Sequence, residues 1–451
     1  MKKIIAIIFC SVCCNIIAAQ TSFSLIQLKD SALQNNIQLR KARHEIEASA
    51  EQRKEAFTNY FPSVSATGVH FRANRGMAKM DMDPSEFITP ELGQALAQTL
   101  PMEALMALQS PMSMTMMKNG TIAGVTALQP IFAGGQIVMG NKLAKIGEEA
   151  SLLQLQLSEN DVEAQVEQYY WQLVSMEQKA RTLDAVDAML TSLAGDASAA
   201  VKAGVALRND LLQVQLRQNE IASQRLKLNN GRELVKMLLV QFCGLKGTEA
   251  SAFSVAIPDM ADAEAALVAH EDEATRLPAL PEYQLLQKNV DATTLQRKME
   301  VGKNLPSVAV GAGYNYHNLL DNDRHFGMVF ATVSVPITDW WGGSHAIRRK
   351  KIAEQEAREQ LEDNAEMLKI RMQKAWNDVV EAQSQLALAQ QSIEQAAENL
   401  RIQRDTYRAG TSTMSDLLQA QLLEQQARDQ HTDAFIALQN ARLAYRQATA
   451  Q

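Results

Sequence analysis

One stretch of this chain is written twice. Residues 202–216 read KAGVALRNDLLQVQL and residues 408–422 read RAGTSTMSDLLQAQL, with eight of fifteen positions identical at a constant offset of 206. Upstream, Phe61-Pro62-Ser63-Val64 is echoed by Leu305-Pro306-Ser307-Val308, and Pro130-Ile131 with Gly134-Gly135 by Pro336-Ile337 with Gly342-Gly343. A chain that repeats its elements in the same order must fold as two similar units that stack or pair. Two copies of roughly 200 residues suit ordinary domain sizes.

The N-terminus, MKKIIAIIFCSVCCNIIAAQ, has Lys2 and Lys3, an apolar run from Ile4 to Cys14, and small residues at Ala18-Ala19. That order defines a secretory signal peptide over residues 1–19. The run is too short to cross a bilayer, which takes about 20 apolar residues. Cys10, Cys13 and Cys14 leave with the peptide, so only Cys243 remains and no intrachain disulfide can form. The formal net charge of −7 becomes more negative once Lys2 and Lys3 are gone, and the chain has no basic run. Nucleic acid is therefore not an expected partner. Beyond the signal peptide no stretch reaches the length of a membrane helix, so any membrane crossing must use strands.

Proline marks the helical regions, because none falls between Pro130 and Pro258 and none after Pro336. From Ser344 to Ala409 there is neither Gly nor Pro, and Met372, Val379, Leu386, Ile393 and Leu400 recur every seventh residue. Ala375, Ala382, Ala389 and Ala396 follow the first four by three, giving a coiled-coil seam of alternating large and small residues. Val162, Val166, Tyr169, Leu173, Met176, Ala180 and Leu183 keep the same spacing in the first copy. Each long helix is expected to turn at Ala203-Gly204 or Ala409-Gly410, with a second helix beginning at Asp210 or Asp416.

Before each long helix the period changes to two. Val308, Val310, Ala312, Tyr314 and Tyr316 fall on one face of a strand, and Ala309, Gly311, Gly313 and Asn315 on the other. Ser63–Arg72, Thr121–Pro130 and Phe326–Val335 have similar length, near the ~10 residues of an outer-membrane strand. Four strands enclose nothing, and open edges are not tolerated in lipid, so several chains would have to pool them. Phe132 and the pair Trp340-Trp341 suit an aromatic membrane-interface girdle just past the strands, or a plug above the coiled coil.

On these residues the chain resembles the TolC family of outer-membrane efflux and secretion channels. The resemblance rests on the doubled layout, the FPSV and LPSV strand entries, the Pro-Ile and Gly-Gly junctions, and the Ala-Gly-x5-Asp-Leu-Leu-Gln turns. It implies a mixed α and β fold: mostly long helical hairpins forming a trimeric α-barrel, plus four strands per chain in a twelve-stranded barrel. It further implies a homotrimer in the outer membrane of a Gram-negative bacterium, with a large periplasmic portion. A periplasmic adaptor and an inner-membrane pump would be its partners. The repeats would cover residues 20–245 and 282–451, joined by a linker and belt over 246–281.

The same resemblance gives the turns a role in gating. Tyr407 matches the family's gating tyrosine, Asp210 the aspartate it bonds, and Asp416 an acid lining the constriction. The family's gating arginine falls at Ser412, which leaves either a looser lock or Arg208 as a substitute. For both aspartates, plain helix capping stands beside gating as a reading. Gly204 and Gly410, with Ala203, Ala409, Leu211 and Leu417, match the adaptor-docking surface, and both glycines also suit simple C-caps.

Copy one carries an insertion, Ala73 to Gly120, where copy two has only HNLLDNDRH. Barrel geometry makes it an external loop, with a helical stretch over Pro90–Leu108. Met77, Met80, Met82, Met102, Met106, Met112, Met114, Met116 and Met117 lie in it. Thioethers suit Cu(I), so a copper-export variant stands beside adaptable packing. No phosphate loop, HExxH or paired-cysteine motif occurs in the exported part, which argues against an enzyme and implies no cofactor. A soluble periplasmic coiled-coil adaptor or scaffold is the alternative of a different class.

Overall fold

The computed structural model describes residues 21–83, 88–109, 112–245, 253–257, 269–319, 323–337 and 339–450. The signal peptide read from the sequence lies outside them, as does much of the expected linker. The elements run β1 (Thr21–Phe23), α1 (Leu25–Asn35), α2 (Ile37–Thr58), β2 (Ser63–Arg72), β3 (Ala78–Met82), α3 (Pro90–Thr99), α4 (Met102–Gln109), β4 (Met112–Met116) and β5 (Asn119–Ala133). Then come α5 (Gln136–Lys202), α6 (Arg208–Phe242), β6 (Phe253–Val255), α7 (Glu273–Arg276), α8 (Pro281–Lys303), β7 (Ser307–Asn318), β8 (Asp323–Ser334), α9 (Asp339–Arg408) and α10 (Met414–Thr449).

The chain divides into two compact units, and the helical one takes in the described parts of Met1–Ala50, Gly147–Asp291 and Glu356–Gln451. Its core is the seam expected from the heptads. Met372, Ala375, Val379, Ala382 and Leu386 are buried, as are Val162, Val166 and Leu173 from the first copy. One apolar cluster joins these to Leu28, Leu239, Phe435 and Tyr445, and a second gathers Leu190, Val214, Ile221, Leu400, Met414 and Leu417. Here β1 and β6 pair in parallel, with the Phe23 and Phe253 rings stacked at 5.4 Å. The expected linker region thus contains a strand and a helix, α7.

The second unit, Glu51–Ile146 with Ala292–Gln355, holds a four-stranded sheet in the order β2-β5-β7-β8. Every pairing is antiparallel, so each copy contributes one hairpin and the copies meet at β5–β7. Register places Val64, Val125, Val310, Tyr314, Val329 and Val333 on one face. Val329 is 85% exposed and Tyr314 62%, so the apolar face is uncovered within the chain. On the other face Gly311 stands opposite Phe330, whose ring lies where a Cβ would be.

The strands fall close to the expected segments, while two junction expectations, for Phe132 and for the Gly-Gly pairs, need correction. Phe132 lies inside β5, next to the register shift between Pro130 and Phe132, and not past the strand. Trp340 and Trp341 sit in the first turn of α9, and Trp341 is 84% exposed. Gly134 and Gly135 form a turn with φ of 60° and 77°, but Gly342 and Gly343 are helical, so the two Gly-Gly pairs are alike only in sequence. The helical stretch expected over Pro90–Leu108 of the insertion appears as α3 and α4, and the insertion also carries an antiparallel β3–β4 ribbon.

Candidate pore gate and docking turns

The two repeated turns, both within the helical unit, have the same backbone. Gly204 and Gly410 each have φ of 75°, which glycine adopts without steric cost. Val205 N–H donates to the Ala200 carbonyl at 3.0 Å, and Thr411 N–H donates to the Thr406 carbonyl at 3.0 Å. These six-to-one bonds close each helix by a Schellman turn. A Cβ at either glycine meets nothing within 4 Å, so within the chain glycine is required for its φ and not for close approach. Ala203 and Ala409 are exposed beside them. Leu417 is buried in the second apolar cluster, and Leu211 packs on its margin.

The helix starts differ. In α10 the cap is Thr413, and Asp416 stands at the third helical position. Asp416 Oδ2 accepts from Thr413 Oγ1 at 2.6 Å and from Thr413 N–H at 3.2 Å, while Asp416 N–H donates to Thr413 Oγ1 at 3.2 Å. This is a reciprocal capping box. The Thr413 hydroxyl, then its backbone N–H, hold the Asp416 carboxyl below the usual carboxylate range. In α6 the cap position is Leu207, which offers no side-chain bond; the Asp210 N–H donates to the Leu207 carbonyl at 3.0 Å, and its carboxylate has no hydrogen bond among the described residues. Neither aspartate is therefore the cap itself.

Ser412 donates to Gln403 Oε1 at 2.8 Å and faces Asp416 Oδ2 at 3.5 Å. The residue at the arginine position is thus tied to its own turn. Tyr407 packs half-buried on the second apolar cluster; burial, then the charges of Asp210 and Asp196, raise its phenol above the ordinary value. The structure brings Tyr407 near Asp210 without a hydrogen bond between them. Arg208 is exposed in the first turn of α6, with no ion pair among the described residues.

A polar tie beyond the turns escaped the sequence reading. Arg217, 9% exposed on α6, donates from Nε to Gln421 Oε1 at 3.1 Å and from a guanidinium nitrogen to Gln425 Oε1 at 2.7 Å, both on α10. Gln425 in turn donates to Gln224 Oε1 at 3.0 Å. An arginine amid glutamines on an apolar-periodic helix was its only signal.

Residues 281–451 match the family model described as outer membrane efflux protein. The outer-membrane channel OprN aligns at a TM-score of 0.76 and 16% identity, covering 94% of this chain and 89% of that one. The outer membrane protein VceC from Vibrio cholerae aligns at 0.71 and 13% identity, covering 94% and 95%. The MtrE outer membrane channel of Neisseria gonorrhoeae, in its open state, aligns at 0.70 and 14% identity, covering 94% and 88%. No curated protein matches the sequence.

Proposed function

We propose that this protein is the outer-membrane exit duct of a tripartite efflux or type I secretion system. In this reading three copies pool their sheets into one closed barrel in the outer membrane of a Gram-negative bacterium. A periplasmic adaptor and an inner-membrane pump deliver the cargo. One observation carries the reading: a four-stranded sheet presents a largely apolar face, and among the described residues its outer strands β2 and β8 each have one edge unpaired. In lipid such edges must be closed by strands from other copies. Among the described residues no helix is long and apolar enough to cross a membrane.

The turns then serve as the adaptor-docking surface and the gate. Val205 and Leu207, 80% and 71% exposed, give the first turn an apolar rim where the second has Thr411 and Thr413, so the two turns offer an adaptor different chemistry. Under threefold symmetry Asp210 and Asp416 become rings of negative charge that favour cations. Phe132, Trp340 and Trp341 are the proposed interfacial girdle.

Fractionation with cross-linking tests the reading: the chain should sediment with outer membranes as a trimer and conduct ions in planar bilayers. A soluble or inner-membrane chain that forms no pore would overturn it. The gate is tested most cleanly by Asp210→Asn, because this carboxylate takes no part in a cap. Cation selectivity should fall while thermal stability holds; unchanged selectivity removes Asp210 from the constriction.

A further inference from the structure

The helices joined to the four-stranded sheet stand in the order of its strands. α2 leads into β2, α5 follows β5, α8 leads into β7 and α9 follows β8. Within the sheet-bearing unit Asn141 Nδ2 of α5 donates to the Ala56 carbonyl of α2 at 2.9 Å, and a Cβ on Gly302 of α8 would meet Gln136 Cγ of α5 at 3.3 Å. Lys350 Nζ of α9 donates to Gln296 Oε1 of α8 at 2.9 Å, and Arg297 of α8 pairs with Glu354 of α9. The helix row α2-α5-α8-α9 therefore ends where the strand row β2-β5-β7-β8 ends. Alternating direction makes β8 antiparallel to β2, so the two outer edges suit each other in neighbouring copies.

The end helices carry complementary chemistry on their outer sides. Residues 348–351 of α9 read Arg-Arg-Lys-Lys, four cations in succession and shorter than the roughly five to eight of a nucleic-acid patch. Lys350 is turned to α8. At about 100° per residue Trp341 and Arg348 fall on the opposite side of α9, flanked by Arg349 and Lys351. These three cations are exposed and make no ion pair among the described residues. On α2, Glu51 and Glu55 are exposed one turn apart, and Glu51 holds Lys54 at 2.7 Å in an exposed pair that is worth little in solvent. Beside them Phe57 holds the Tyr60 and Phe61 rings at 5.5 Å each, with both phenylalanines more than half exposed.

The two outer sides also match in height. α2 ends at Thr58, five residues before Ser63, and α9 begins at Asp339, five residues after Ser334. Strands paired edge to edge thus set the end of α2 beside the start of α9. At about 1.5 Å per residue Phe57 and Trp341 lie within about 3 Å of that level, with Glu51 about 10 Å and Arg348 about 14 Å beyond it. Helical side chains lean toward the N-terminus, so Arg348 leans back to the sheet, Glu51 leans away from it, and the two converge.

We propose that the seam between copies joins α9 of one copy to α2 of the next, with Trp341 on the Phe57–Phe61 aromatic cluster and Arg348 and Arg349 against Glu51 and Glu55. Each copy offers a different side to each neighbour, so the contact is heterologous and closes a ring, not a twofold dimer. The seam rests on the pooled-barrel reading and adds to it which helices meet and through which side chains.

Cross-linking of the full-length protein in its membrane tests the seam. Phe57→Cys together with Trp341→Cys, treated with a short bis-maleimide, should give a ladder of covalent dimer and trimer on denaturing gels, and either change alone should give no more than the parent. A covalent dimer from Trp341→Cys alone would reveal a twofold contact and overturn the seam. Because a new cysteine can disturb packing, charge reversal gives a second readout. Arg348→Glu with Arg349→Glu should lower the recovered oligomer by about tenfold, and adding Glu51→Arg with Glu55→Arg should restore it. Oligomers that form without the cross-link and ignore the reversal would sink the seam and leave the pooled barrel standing. A chain that stays monomeric and outside the membrane would sink both.

Discussion

Thr413 and Asp416 hold each other in two directions: the hydroxyl donates to the carboxylate at 2.6 Å and accepts the Asp416 N–H at 3.2 Å. The matching pair in the first copy, Leu207 and Asp210, has no such exchange. A duplicated turn has thus kept its glycine and lost one of its caps. Thr413→Ala should destabilise the start of α10 by about 1 kcal/mol, and Leu207→Thr should gain part of that amount at α6. Hydrogen exchange of the first-turn amides reads both. The Asp416 carboxyl has a depressed folded value, so the box is intact through the ordinary carboxylate range and is lost as pH falls through that lowered value. Faster first-turn exchange at acid pH should therefore appear in α10 and not in α6.

Glu167 supplies a second acid-sensitive point. It is buried on α5, accepts from Lys29 Nζ at 2.6 Å and from Arg446 at 2.7 Å, and its other contact is the Trp171 indole at 3.3 Å. Burial alone would raise its carboxyl, but the Lys29 bond and charge, with the Arg446 charge and the Trp171 bond, outweigh it and leave the value lowered. A depressed acid contributes stability above its unfolded value and loses it as pH drops through the folded one. Glu167→Gln removes the charge that both cations share, leaving Lys29 with Glu163 at 3.8 Å and Arg446 partly in solvent, and should cost about 1–3 kcal/mol in thermal unfolding, with the acid limb of the stability profile flattened. A variant that melts like the parent would show that the pair is screened.

Cys243 caps the C-terminal end of α6 and is fully buried, and burial pushes its thiol up to about 12. The thiolate is the reactive species, so at neutral pH Cys243 should resist a maleimide in the folded protein and react promptly once denatured. Its carbonyl accepts from Ser31 Oγ of α1 at 3.1 Å, which ties the two helices at this point. Labelling of the native protein at the rate of a free thiol, mapped to this residue by mass, would contradict the packing of α6 on α1.

Periodicity is what made the fold readable from sequence. Ser307–Asn318 alternates bulky with small or polar residues because the two faces of its strand differ, and the heptad from Met372 to Leu400 is regular because one seam is buried along it. Elements without a period were not readable. β1 and β6 are three residues each and exist only because Phe23 and Phe253 meet across a long sequence separation. Lys29, Glu167 and Arg446 look like three surface charges until the helices bring them together. At the turns, sequence offered Asp210 and Asp416 as equivalents. Their difference lies three residues earlier, in Leu207 against Thr413, a capping-box signature visible in one copy only.

Gly134 and Gly302 allow backbone to approach backbone in the sheet-bearing unit. A Cβ built on either glycine collides with the carbonyl of the other, and Gly134 also has φ of 60°. Gly135, with φ of 77°, has nothing within 4 Å of its Cβ position. Substitution by Ala therefore separates two costs. Gly135→Ala bears only left-handed strain, about 1 kcal/mol. Gly302→Ala, in helical backbone, bears only the clash, about 1–3 kcal/mol for an overpacked site that must shift. Gly134→Ala bears both and should be the most damaging of the three. Thermal unfolding in detergent should rank them 134, then 302, then 135. If Gly302→Ala proved neutral, the close approach of α8 to the β5–α5 turn would not be what holds this junction, and left-handed φ alone would explain the glycines.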